Sequence, residues 1–327
     1  MDIRKRVLVT GGSGFIGTNL VEALASRPNL EILNLDAEKP KREDHLLFWK
    51  QCNLLDSQLL LQYVQEFQPE EVLHLAARTD MFGATVDDYA SNHIGTRNLA
   101  AALRATPSVQ RAVFTSSQYV VGPGALPSDD FDFRPHTIYG ESKVQSEKAV
   151  RTAKLGFVWT IIRPTNIWGR WHPRYPTEFW RVVKDGRYVH PGRGRVVRCY
   201  GYVGNVVDQM QKILASDASL VHEKVFYVGD APIDLLEWTN AFSLELTGHE
   251  VRVVPRAAVA ALGKVGDAVN AMGGSFPIFS SRFRSMTESY VTPMQPTFSA
   301  LGTPRISLEE GVHETGEWLR SLGTAWS

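Results

Sequence analysis

Thr10-Gly11-Gly12-Ser13-Gly14-Phe15-Ile16-Gly17 is the stretch on which the reading of this chain turns. It follows a short apolar run, Val7-Leu8-Val9, and opens a segment, Phe15 to Ser26, with Ile16, Leu20 and Leu24 at helical spacing. Strand, glycine turn and helix in that order put Gly11, Gly14 and Gly17 where side chains would collide with a bound phosphate or with the sheet. Free amides at the start of the helix then face a pyrophosphate, and the helix dipole favours its charge. A glycine triplet alone is also compatible with a turn that binds nothing. Here a second apolar strand, Glu31 to Leu35, ends at Asp36, whose carboxylate is placed to accept from adenosine ribose hydroxyls. That charge repels a 2′-phosphate, so NAD is expected over NADP. Lys39, Lys41 and Arg42 lie close by, either as a counterweight to that preference or as a solvated surface run.

Working outward, strands and helices alternate. Leu59 to Phe67 reads as a helix and Val72 to Leu75 as a strand. Asp87 to Leu103 reads as a longer helix, Ala112 to Phe114 as a strand, Tyr139 to Ala153 as a helix and Val158 to Ile162 as a strand closed by Arg163-Pro164. The alternation implies βαβ units, hence an α/β fold with a Rossmann-type, doubly wound parallel sheet covered on both faces. After Pro164 the rhythm breaks into a stretch rich in Trp, Pro, Arg and Tyr. We expect residues 1–165 to form the nucleotide-binding domain, with 195–230 returning to it. Residues 166–194 and 231–327 are then a smaller substrate lobe.

The bulk composition narrows the partners. The 35 basic and 35 acidic residues cancel, so no charge excess points to nucleic acid or an anionic membrane. No apolar run approaches the roughly 18 residues of a membrane span. Two cysteines in 327 residues, Cys52 and Cys199, give no disulfide framework. The first residues show no signal-peptide pattern, so the cytoplasm is the expected location. No metal is expected.

A second constellation is Tyr139-Gly140-Glu141-Ser142-Lys143. Positions four apart share a helix face, so phenol and ammonium point into the same space. A free tyrosine, with a pKa of about 10, is a poor base at neutral pH. A nearby cation stabilises the phenolate, which should bring the pKa down. Such a pair is common by chance and gains weight from Ser116-Ser117, at the end of the preceding strand. Ligands of a parallel sheet gather beyond the carboxyl ends of its strands, where this serine pair and the glycine turn both fall. A Ser117 hydroxyl there can hold the substrate oxygen that Tyr139 protonates or deprotonates, or it can serve as a turn or cap residue.

Together these motifs resemble the extended short-chain dehydrogenase/reductase family, of the NAD-dependent epimerase/dehydratase type, over nearly the whole chain. The likeness includes His74-Leu75-Ala76-Ala77, Asn92-His93-Ile94-Gly95-Thr96 and Arg163-Pro164-Thr165-Asn166-Ile167-Trp168-Gly169. It continues through Tyr202-Val203-Gly204-Asn205-Val206-Val207, with Gly204 and Asn205 where the family carries acids, to Ser307-Leu308-Glu309-Glu310-Gly311-Val312 with Trp318. The resemblance implies Ser117, Tyr139 and Lys143 as the catalytic triad. It implies cofactor contacts from Gly11, Gly14, Phe15, Ile16, Gly17, Asp36, Asn53, Leu54, Leu75, Ala76, Ala77, Asn92, Ser116 and Pro164, besides Tyr139 and Lys143. Thr79, Ser117, Asn166 and Arg198 are the expected substrate contacts. Relatives commonly dimerise through paired helices, here those of residues 87–103 and 139–153.

Departures narrow the reaction. Sugar-nucleotide dehydratases carry an Asp-Glu pair after the catalytic hydroxyl, and this chain has Gln118-Tyr119. Epimerases often show Val-Tyr-Gly, and this chain has Val120-Val121-Gly122. Arg282 and Arg284 are followed by no nearby aspartate. Val254 to Met272 looks like a lobe of hydroxysteroid-type dehydrogenases. The leading expectation is an oxidoreductase or epimerase acting on a nucleotide sugar. Arg170, Arg174, Arg181 and Arg198 suit diphosphate recognition. Trp168, Trp171, Tyr175 and Trp180 are either stacking groups or lobe core. The alternatives are a dehydrogenase of a steroid-like or other apolar alcohol, and a non-catalytic dinucleotide sensor, which the intact Ser-Tyr-Lys set argues against.

Titrating the ligand-free protein with NADH and NADPH should show tighter binding of NADH, and Asp36→Ala should erase much of that preference. Tighter binding of NADPH by the unaltered chain would refute the role given to Asp36.

Overall fold

The structure, a computed structural model, describes residues 4–274, 276–323 and 326. Residues 1–3, 275, 324, 325 and 327, at the margins of the expected domains and in the lobe, lie outside the described residues.

Seven parallel strands form the central sheet: β1 (Lys5–Thr10), β2 (Leu30–Asp36), β3 (Trp49–Gln51), β4 (Glu71–His74), β5 (Arg111–Thr115), β6 (Val158–Pro164) and β7 (Lys224–Val228). Their order is β7-β6-β5-β4-β1-β2-β3, so the chain reverses direction across the sheet between β1 and β4. That reversal opens the crevice in which doubly wound folds bind ligands. Five helices cover the sheet: α1 (Phe15–Ala25), α2 (Ser57–Phe67), α3 (Ala90–Arg104), α4 (Ile138–Thr152) and α5 (Val203–Ala215). Because successive strand residues face opposite ways, Val7 and Val9 join a core with Leu20 and Leu24 of α1 and Met210 of α5. Leu8, between them, faces Leu60, Val64, Leu99 and Leu103 of α2 and α3.

Where the sequence predicts one helix from Asp87 to Leu103, the structure has a 3₁₀ turn, Val86–Tyr89, followed by α3. Thr85 and Asp88 form a capping box at the turn, which ends the preceding loop and starts the helix. β3 and β7 were not anticipated as strands. β3 has three residues, too few to show a period, and β7 is an edge strand completed only by pairing with β6.

Beyond β6, Asn166–Trp168 pairs with Tyr200–Tyr202, and Val197–Arg198 pairs with Ile233–Asp234. Val189–Pro191 pairs with Arg252–Val254, and the lobe's longer helices are α6 (Leu235–Thr247), α7 (Arg256–Ala271), α8 (Ser280–Thr287), α9 (Gln295–Leu301) and α10 (Leu308–Ser321). Trp168 and Trp180 are buried and pack with Trp238 and Phe242, so they are core and not a stacking platform. Tyr175 packs edge-on against Trp180 and Trp238 in the same cluster.

One buried ion pair ties α4 to the sheet. Arg163, at the end of β6, donates from Nε and Nη2 to the two oxygens of Glu147 at 2.8 and 2.9 Å, with both side chains 1% exposed. The guanidinium also reaches the Tyr227 hydroxyl on β7 and the Asp130 carbonyl, and the Ser116 hydroxyl donates to Glu147 at 2.6 Å. Removing one partner of such a pair leaves a buried charge without compensation. Glu147→Ala should therefore cost about 3–5 kcal/mol of stability, read as a lowered urea midpoint. A loss under about 1 kcal/mol, the scale of a surface pair, would contradict this account.

Candidate active site

The glycine turn is closed by backbone packing. Gly11 has φ +78°, in the left-handed region, and a Cβ there would sit 2.4 Å from the Ala76 nitrogen. A Cβ on Gly17 would lie 2.1 Å from the Gly11 carbonyl oxygen, so only glycine lets α1 start this close to β1. Gly14 caps α1 with no side-chain acceptor, and the first turn holds no acidic residue. The amides of Phe15 and Ile16 thus begin a helix whose positive end is uncompensated, which suits an anion.

Asp36 is fixed at the end of β2. Its carboxylate accepts from the Ser13 and Glu38 amides at 2.9 and 3.0 Å. Burial raises its pKa, and these bonds oppose that shift. Of the neighbouring cations, Arg42 is paired with Glu22 and Asp44, and Lys41 donates to the Trp171 carbonyl. Among the described residues neither cation is paired with the Asp36 carboxylate. Leu75 is bonded through its amide to the Thr10 carbonyl, and Ala76 lies beneath Gly11. Ala77 follows them on the same loop. Asn53 is exposed beyond β3, while Leu54 is buried against Gly95 of α3.

Tyr139 and Lys143 lie on the buried face of α4, 7% and 2% exposed. Tyr139 stands in the first turn of the helix, which the Thr137 hydroxyl caps by accepting from the Gly140 amide. Ser117 follows β5, and its hydroxyl lies beside the phenol, pulling the phenol's pKa down. Burial outweighs that and pushes Tyr139 up to about 12. Lys143 donates to the Thr115 carbonyl at 3.0 Å, and burial brings its ammonium down to about 8. The expected lowering of the phenol by Lys143 is therefore not realised here. The ammonium is held by the carbonyl at the end of β5, and desolvation dominates both groups.

Two of the expected cofactor contacts have their side chains engaged within the protein. The Ser116 side chain turns into the Glu147–Arg163 pair and not into the cleft, because adjacent residues leaving a strand face opposite ways. Asn92 is fully buried, with its amide bonded to the Arg78 nitrogen, the Arg78 carbonyl and the Ser142 hydroxyl. It braces the loop after β4 against α4 and does not reach into the cleft itself. A buried string unseen in the sequence continues the brace. His74 bonds Thr10 and Thr96 at 2.7 and 2.9 Å, and Thr96 donates to the Asn92 carbonyl. Burial, with Lys143 adding to it, brings His74 down to about 3, so it is neutral.

The substrate side is aromatic. Tyr119 stacks on His136, with ring centroids 5.3 Å apart, and meets Tyr139 and Tyr290 edge-on at 5.9 and 6.3 Å. Tyr290 is anchored by its hydroxyl on the Gln118 and Val121 carbonyls. His136 and Tyr290 escaped the sequence reading because they converge on Tyr119 only through the fold. Asn166 accepts from Gln118 at 3.0 Å, and Pro164 closes β6 beside it. Thr79 is exposed on the loop after β4, between the paired Arg78 and Asp80.

The expected arginine cluster disperses. Arg170 pairs with Glu22, Arg181 lies over the Trp326 ring, and Arg174 is exposed. Arg198 alone of the four is buried, 9% exposed, with its guanidinium on the Ser285 carbonyl. Among the described residues no carboxylate is paired with it. Its backbone pairs with that of Tyr290, and its charge lowers the pKa of Tyr119 against the raising effect of burial.

A glycine cradle under a helix terminus, an aspartate at the end of the next strand and a Ser-Tyr-Lys set beyond the carboxyl ends of the sheet are the features of a Rossmann-type, dinucleotide-binding protein. The chain belongs to the NAD dependent epimerase/dehydratase family, whose model matches residues 7–229. NAD is accordingly its cofactor, and the cradle fits it, since the space a Cβ would fill at Gly11 and Gly17 is taken by backbone. The chain is 31% identical over 211 residues to an N-acetyl-alpha-D-glucosaminyl-diphospho-ditrans,octacis-undecaprenol 4-epimerase of Escherichia coli O157:H7, covering 62% of this chain and 61% of that relative's length. It is 31% identical over 257 residues to a 3 beta-hydroxysteroid dehydrogenase/Delta 5-->4-isomerase of Mycobacterium tuberculosis, covering 72% of this chain and 68% of that one. The solved UDP-glucose 4-epimerase of Thermotoga maritima superposes with a TM-score of 0.73 at 21% identity, covering 97% of this chain and 99% of the other.

The Lys143 ammonium is charged below about pH 8 and neutral above it. NAD affinity of the ligand-free protein should fall as pH rises through that value, because the ammonium is the donor expected to reach the ribose. Lys143→Met should bind more weakly and lose that pH dependence, as read by calorimetric titration. A variant that keeps the same pH profile would show that another group causes it.

Proposed function

We propose that this chain carries out reversible oxidation of a hydroxyl on a sugar linked to a diphosphate, with epimerisation at that carbon as the favoured outcome. The observation that carries this reading is the buried Arg198 guanidinium, beside Tyr290 in the backbone pairing and, among the described residues, without a carboxylate partner. Two phosphate charges entering a closed site need a fixed cation, and a guanidinium offers paired donors. The E. coli relative, named for a diphospho-linked sugar, supports the same class.

NAD, when bound, accepts and returns the hydride. The protein's part is proton handling. Ser117 orients the sugar oxygen beside the phenol, and Tyr139 takes its proton during oxidation and returns it during reduction. With its pKa pushed up to about 12, the free phenol is protonated at neutral pH. It is therefore ready as the acid of the reductive half and must lose its proton before acting as the base. The positive charge of the oxidised cofactor favours that loss. Gln118 and Tyr119 supply no carboxylate, so water elimination by an acidic pair is disfavoured.

The aromatic wall of Tyr119, His136 and Tyr290 favours a second reading, oxidation of a steroid-like or other apolar alcohol, and the mycobacterial relative supports it. On either reading the protein works as a homodimer in the cytoplasm, paired through the faces of α3 and α4. Residues 166–194 and 231–327 hold the substrate over the nucleotide-binding part.

Binding separates the two readings. With NAD present, at least one of the uridine, guanosine, cytidine and thymidine diphosphates should raise the melting temperature. Arg198→Ala should abolish that shift with little change in the unliganded protein. On the sugar whose nucleotide binds, Tyr139→Phe should lower turnover about 10²–10⁴-fold. If an apolar alcohol shifts melting and no nucleoside diphosphate does, the second reading replaces the first.

A further inference from the structure

α7 has two apolar faces, and the fold uses one of them. Val259, Gly263 and Gly266 are buried, and a Cβ on Gly266 would lie 1.9 Å from the Ile278 carbonyl oxygen, so the segment entering α8 packs directly on the helix backbone. The other face carries Leu262, Val265 and Met272, which are 40%, 51% and 80% exposed, with Val269 half-buried between them. These positions recur at intervals of three and four and make one continuous stripe.

Charge around the stripe is one-sided. Between residues 252 and 288 the cations are Arg252, Arg256, Lys264, Arg282 and Arg284, and the anions are Asp267 and Glu288. Five against two leaves an excess of three positive charges on a chain whose totals balance at 35 and 35. All five cations are exposed. Asp267 is held locally by the Ser280 amide and hydroxyl, and Glu288 lies 3.9 Å from Arg284. Whole-chain neutrality, which argued against a membrane partner in the sequence, conceals this segregation.

We propose that α7 lies on an anionic lipid surface, with the Leu262–Val265–Met272 stripe in the interface and the flanking cations against phosphate headgroups. An exposed apolar stripe bordered by lysine and arginine is the pattern of an interfacial helix. A second copy of the chain is the poorer occupant, because a two-fold interface would set this cationic patch against itself. The hairpin also borders the cleft, since Ser285 of α8 accepts the bond from Arg198. Docking through α7 therefore holds the substrate side of the molecule next to the bilayer. The proposal goes beyond the diphosphate reading, and only the statement of which side faces the bilayer rests on that reading.

The test is co-sedimentation of the full chain with vesicles of phosphatidylcholine alone and of phosphatidylcholine with phosphatidylglycerol. The chain should bind the anionic vesicles and not the neutral ones, and added salt should weaken binding. Arg256→Gln with Lys264→Gln should weaken it by about fivefold per cation removed. Leu262→Glu with Val265→Glu should abolish it while melting temperature and NAD binding stay unchanged, because both side chains are exposed. Absence of binding to anionic vesicles, equal binding to neutral ones, or full binding by the Leu262→Glu/Val265→Glu variant overturns the proposal. So does a fall in oligomeric state of that variant in ultracentrifugation, which would assign the stripe to a second copy.

Discussion

The buried pair of Glu147 and Arg163 is the constraint on which the placement of Tyr139 and Lys143 depends. It joins the middle of α4, the end of β6, the end of β5 through Ser116 and the edge strand through Tyr227. Tyr139 and Lys143 lie two turns and one turn before Glu147 on the same helix, so whatever fixes Glu147 fixes their height above the sheet. The pair also explains why Arg163 sits in a position that a hydrophobic residue could fill. A buried guanidinium with three kinds of acceptor specifies one docking of α4, whereas apolar contact would tolerate sliding.

A second, uncharged brace works from the other side. The string Thr10, His74, Thr96, Asn92 and Ser142 runs from the strand before the glycine turn, through α3, to the catalytic helix. It couples the nucleotide cradle to Tyr139 without adding charge, because His74 is kept neutral by burial. The floor of the cleft thus holds a protonated phenol and an ammonium brought down to about 8, both desolvated. In such surroundings the charge of a bound cofactor acts strongly on the phenol, since little water screens it.

The parts legible in the sequence were those whose physics is local. The glycine turn, Asp36 at a strand end and the four-residue spacing of Tyr139 and Lys143 are each dictated within one element, and the sheet follows from the alternation of elements. The direction of the Ser116 side chain was not legible, because it depends on the pleat and on Glu147, 31 residues away. Asn92 was seen as a ligand contact because its motif gives no hint that Arg78 and Ser142 consume its amide. The aromatic wall could not be read, since Tyr119, His136 and Tyr290 come together only in the fold. Trp168 and Trp180 left two readings open until burial decided for core.

The central claim is that one crevice holds NAD with its reactive end at Tyr139. A crystal structure of the chain with NAD tests it most directly. The account predicts the pyrophosphate on the amides of Phe15 and Ile16, the adenosine ribose on the Asp36 carboxylate, and the nicotinamide between Pro164 and the Tyr139 phenol. A dinucleotide bound with its nicotinamide out of reach of Tyr139, or with its ribose away from Asp36, would contradict it.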